Sequence, residues 1–107
     1  MKRRHTDDEV EDSIAQLARA MLGLRTTQAM QAFLVDLCTP AELEAMTDRW
    51  RVVPLVAEGV PYREIHDRTL VSVTTIGRVA RTFERGAGGY AAALAGSQPV
   101  ASRESAA

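Results

Sequence analysis

Val73, Thr74, Gly77, Arg78 and Arg81 fall at helical spacing, and their types are those a helix needs to approach nucleic acid. Small residues near a helix N-terminus let the backbone come close to base edges. Guanidinium groups supply forked N–H donors for phosphate or guanine. The opposite face of the same stretch carries Ile76, Val79, Ala80 and Phe83, an apolar seam that Ile65 upstream can pack against. Such a unit fits a major groove roughly 12 Å wide. Residues 61 to 85 hold five arginines against three acids, and Arg81 and Arg85 are placed to meet phosphates beside the groove. Any helical hairpin with an apolar seam has the same alternation, so a purely packing role stays open.

Those residues need two short helices at a steep angle. Pro61 starts one, Tyr62 to about Arg68; Thr69-Leu70-Val71 turns; Ser72 caps a second, Val73 to about Arg85. Short helix, tight turn and longer helix make the helix-turn-helix plan. Upstream, Thr6-Asp-Asp-Glu9 reads as a capping box, and Val10, Ile14, Leu17, Ala18, Met21 and Leu22 follow at helical spacing up to Gly23. After Arg25-Thr26-Thr27, Met30, Phe33, Leu34 and Leu37 give a second amphipathic helix. Thr39-Pro40-Ala41-Glu42 starts a third, with threonine at N-cap, proline at the first helical position and glutamate at N3. Leu43, Met46, Trp50 and Val53 are its expected buried stripe, Gly59 its left-handed stop, and Pro54 an expected kink. Gly86-Ala-Gly-Gly89 breaks the chain, and Tyr90 to Leu94 can add a turn or two. The expectation is an all-α chain of five to six helices: one domain over residues 1–95, a helix-turn-helix at 60–85, and a disordered tail at 96–107.

The 107 residues suit one small domain, and 46% hydrophobic content gives a small core that should gain from dimerising. A net charge of −1 argues against a nonspecific polyanion binder, while Lys2, Arg3 and Arg4 stand among the acids Asp7, Asp8, Glu9, Glu11 and Asp12. Neither a membrane span nor an apolar leader is visible, so a soluble, cytoplasmic protein is expected. Cys38 is the single cysteine and is read as core; His5 and His66 form no metal pattern. Catalysis has no support either, since no glycine-rich phosphate loop follows a strand, no GxSxG is present and Cys38 has no local His partner. Glu42, Glu44 and Asp48 read as a solvated helix face and Trp50 as a core or interface anchor.

Together, Cys38-Thr-Pro-Ala-Glu-Leu-Glu-Ala-Met-Thr-Asp-Arg-Trp50, Glu58-Gly-Val-Pro-Tyr-Arg-Glu-Ile65, Val71-Ser-Val-Thr-Thr-Ile-Gly-Arg-Val-Ala-Arg81 and Gly88-Gly-Tyr90 resemble the Trp-repressor-like family. Within it they are similar to the YerC/YecD-type branch, with its TPxE helix start, (Y/S)xxI segment and TI(S/T)RV recognition helix. The likeness covers about residues 28 to 95.

The resemblance implies an intertwined homodimer in which the helices before Gly59 share one core, their apolar stripes forming the interface. Two recognition helices would enter successive major grooves about 34 Å apart. By position, Val73, Thr74 and Gly77 would face bases, Arg63 would reach a base edge or phosphate, and Tyr62 and His66 would lie near phosphates. Two departures stand out: Leu70 replaces the family's turn glycine, which strains the turn, and Gly77 replaces a hydroxyl residue. The family's ligand-gripping positions correspond to Thr39, Arg49 and Arg78, although Thr39 is also explained as an N-cap and Arg78 as a phosphate ligand. Val79 stands where a glycine makes room for indole, so no tryptophan corepressor is expected and any effector is unassigned. The leading expectation is a sequence-specific duplex-DNA-binding transcriptional regulator, a repressor; the alternative is a helical dimer that serves as a protein-interaction module.

Overall fold

Hydroxyl caps set most of the helix starts. In the computed structural model, which describes residues 6–97, Thr6 accepts from the Glu9 N–H while the Glu9 carboxylate accepts from the Thr6 N–H, opening α1 (Asp7–Leu22). Thr26 caps α2 (Thr27–Leu37) through Ala29 N–H. The reciprocal Thr39–Glu42 pair, at 2.7 and 3.1 Å, opens α3 (Pro40–Ala57). Pro61 precedes α4 (Tyr62–Thr69), Ser72 caps α5 (Val73–Arg85), and Gly88 leads into α6 (Gly89–Gly96). The chain is all-α, with no strand among the described residues.

Pro54 lies inside α3 without ending it, and the ladder continues where Glu58 N–H donates to Pro54 O. Gly59 (φ 80°) then gives the left-handed stop expected of it. At the far end, α6 is longer than the turn or two expected and takes in Gly96, so the expected tail begins at least one residue later. The remainder of that tail from residue 98, together with Lys2, Arg3, Arg4 and His5, lies outside the described residues.

The fold separates into two units, residues 1–43 and 44–107. In the first, α1 and α2 contain no buried residue: Val10, Ile14, Leu17, Leu22, Val35 and Leu37 are all exposed. Met21, Met30, Phe33 and Leu34 are half-buried, so each helix leaves part of its apolar stripe open to solvent and is incomplete by itself.

The second unit owns the core. Val52 and Val53 from α3, Ile65 from α4, Val71 from the turn, and Ile76 and Val79 from α5 form one buried cluster, with Leu55, Val56, Val60, Phe83, Tyr90 and Leu94 packed around it. The apolar seam expected across the helical hairpin is therefore present, Ile65 and Ile76 being fully buried. The stripe expected on α3 needs correction. Val53 is buried, but Leu43 is only half-buried and Met46 and Trp50 each keep 37% of their surface exposed. The core instead takes the face of Val52 and Val53, turned from that stripe by roughly one residue step of about 100°.

Candidate nucleic-acid interface

The turn between α4 and α5 is built from side chains that close on backbone. Thr69 Oγ1 donates to Ile65 O at 2.7 Å and accepts from Val71 N–H at 3.1 Å. Leu70 N–H donates to His66 O at 2.7 Å. His66 Nδ1–H donates to Val71 O at 2.7 Å; a carbonyl can only accept, so the proton is on Nδ1 and Nε2 is left for any other partner. Leu70 takes φ 65° and is the one positive-φ non-glycine among the described residues, so the strain expected from the missing turn glycine is present. Its side chain is 81% exposed and recovers nothing by packing.

Beyond the turn, Ser72 Oγ accepts from Thr75 N–H and donates to Thr75 Oγ1, both at 3.1 Å, which ties down the first turn of α5. Val73 is half-exposed and Thr74, Arg78, Arg81 and Arg85 are exposed, while Ile76, Val79 and Ala80 face the core. Gly77 differs from the rest of the expected base-facing set, being buried. On α4, Tyr62 and Arg63 are exposed and His66 is half-buried behind its bond to the turn.

Ion pairing sorts the arginines of this unit into two groups. Arg51 is held by Asp48 and Arg68 by Glu64 (3.3 Å), each within its own helix. Arg49, Arg63, Arg78, Arg81 and Arg85 have no carboxylate partner among the described residues. Four of these five guanidiniums are ones that the sequence placed at a phosphate or base edge, the fifth, Arg49, being one it placed at a ligand, and their fields are not cancelled locally.

Beside this surface is a cleft of about 160 Å³ lined by Arg49, Arg78, Val79, Thr82 and Tyr90. Two of the three residues expected to grip a ligand, Arg49 and Arg78, thus line one cleft. Thr39 belongs to the other unit and is engaged in capping α3. Val79, only 1% exposed, forms part of the cleft wall. The volume falls below the roughly 300–1,000 Å³ of usual small-molecule sites. Thr82 and Tyr90 were not picked out by sequence reasoning. Thr82 was findable as the residue four after Arg78 on one helix face, whereas Tyr90 depends on where α6 turns after Gly88.

A family described as "Trp repressor protein" matches residues 12–98. The chain belongs to the Trp repressor family. Its YerC-type character rests on a relative from Bacillus subtilis (strain 168), "Uncharacterized protein YerC", which is 34% identical over 79 residues, 74% of this chain and 76% of the relative. No solved structure matches the chain significantly. The family supplies the context of a helix-turn-helix regulator, and α4, the tied turn and α5 stand at the positions of that motif. Among the described residues no helix is long and apolar enough to cross a membrane.

Proposed function

We propose that this chain is a sequence-specific duplex-DNA-binding transcriptional repressor that acts as a homodimer and inserts α5 into the major groove. The observation that carries this reading is the exposed face of α5, small at Val73 and Thr74 and basic at Arg78 and Arg81, with those guanidiniums free of carboxylates. Arg63, Arg85, Tyr62 and His66 are its flanking phosphate contacts. The open apolar faces of α1 and α2 support dimerisation, because a second copy would cover surface that one chain leaves in water. In that dimer residues 1–95 act as a single domain, and the protein works in the cytoplasm on the nucleoid. Tryptophan is not part of the proposal, since Val79 walls a small cleft where indole would need room.

The test is a salt titration of binding to mixed genomic fragments, followed by sequencing of what is retained. The reading expects a few palindromic fragments, released steeply as salt rises because each neutralised phosphate releases counterions. Absence of retention at low salt would overturn it and favour a protein-interaction module.

A further inference from the structure

The groove-facing surface of α5 has a notch in it. Gly77 is buried although Val73 and Thr74 before it, and Arg78 and Arg81 after it, are exposed. Two side chains cover it: Arg81 Nη1 lies 3.5 Å, and Tyr62 Cε2 3.9 Å, from the point a Cβ at position 77 would occupy. Helical side chains lean toward the N-terminus and over the residue four positions back, so Arg81 reaches Gly77 in its ordinary direction. Among the described residues no carboxylate holds that guanidinium, so its posture comes from the space at Gly77 and the flanking tyrosine ring.

Azimuth decides what the guanidinium can meet. At about 100° per residue, Gly77 and Arg81 fall between Val73 and Thr74 around the helix, while Arg78 and Arg85 lie beyond Thr74 to one side. Arg81 therefore stands in the strip where small residues allow the backbone to approach base edges, and the other two stand over the groove wall where phosphates run. Lying back along the helix, its fork is partly ordered before any ligand arrives.

We infer that Arg81 is a base-reading residue of this protein, matched to the O6 and N7 acceptors of a guanine, and that Gly77 is its positioning residue instead of a base contact. This revises the sequence expectation, which gave Gly77 to bases and Arg81 to phosphate, and it rests on the DNA-binding reading above. A side chain at 77 larger than a methyl would displace the guanidinium. A methyl at 3.5 Å makes ordinary contact and leaves it in place.

The experiment is selection of binding sites from a random duplex pool by the full chain and by Arg81→Ala, Arg81→Lys, Gly77→Ala and Gly77→Thr, with thermal unfolding as a check of fold. The expected result is a guanine preference at one position of each half-site that both Arg81 variants lose. Affinity of the dimer for the selected sequence should fall about 25-fold or more, two bidentate pairs of roughly 1–3 kcal/mol each at 1.4 kcal/mol per decade, with unrelated duplex bound almost as before. Lysine fails because it lacks the fork. Gly77→Ala should keep the preference and Gly77→Thr should change it at that same position. Uniform weakening across all sequences, with preference intact, would make Arg81 a phosphate ligand and overturn the assignment, as would no change at all. If the unaltered protein selects nothing and binds no duplex at low salt, the DNA-binding reading itself fails.

Discussion

Two residues of the helix-turn-helix unit carry separable costs and gains. Arg78 is exposed and unpaired, on the flank of α5, and also borders the cleft. Arg78→Ala should weaken binding to every duplex at low salt and reduce the salt slope by about two phosphates, one per subunit of the proposed dimer, leaving the self-association measured by sedimentation unchanged. Unchanged affinity would remove Arg78 from the interface. Leu70 pays for a left-handed backbone with an exposed side chain. Leu70→Gly should raise stability by about 0.5–1 kcal/mol, the left-handed penalty of roughly 1–2 kcal/mol less the extra chain entropy of glycine. A fall in the melting temperature would show that the penalty is relieved elsewhere. The strain at Leu70 was legible from the family's turn glycine; the burial of Gly77 was not, because a glycine has no side chain with which to signal what lies on it.

At the scale of elements, capping chemistry was the most readable feature. Thr6, Thr26, Thr39 and Ser72 all cap helices as their spacing to the next acid or helical run suggests, and the limits of α5 match those expected. Local hydrogen bonding determines such ends, so local sequence suffices. The buried face of α3 was less legible, because that helix carries apolar residues on more than one flank and only tertiary packing selects Val52 and Val53. The same logic predicts Ser72→Ala: loss of the bond to Thr75 N–H should cost about 1 kcal/mol and fray the first turn of α5, where Val73 and Thr74 are presented. Weaker DNA binding with an unaltered dimer is the expected outcome, and Ser72→Asp should restore the melting temperature while adding a charge unwelcome near phosphates. If Ser72→Ala melts like the parent, water replaces the cap.

For the whole molecule, the uneven distribution of the core determines what else is needed. The second unit encloses its own cluster, whereas α1 and α2 contain no fully buried residue. Ile14, 62% exposed midway along α1, is a direct probe of the proposed dimer. Ile14→Glu should lower the sedimenting mass to that of one chain and abolish retention of palindromic fragments, because a charge in an apolar interface is costly to desolvate. A variant that still sediments as a dimer would show that α1 is not in the interface. What the sequence conveyed at this scale was the amphipathic pattern of each helix. Which stripes meet inside one chain depends on long-range packing that periodicity does not encode.

A core confined to one unit also has a consequence for thermal unfolding. Helices of 16 and 11 residues with no fully buried residue are marginal in water, so α1 and α2 draw much of their order from whatever covers them. Dilution should lower the temperature at which their helicity is lost, while residues 52–83 lose theirs at a temperature set mainly by the enclosed cluster. Melts recorded over a hundredfold range of protein concentration should then separate into one transition that moves and one that stays.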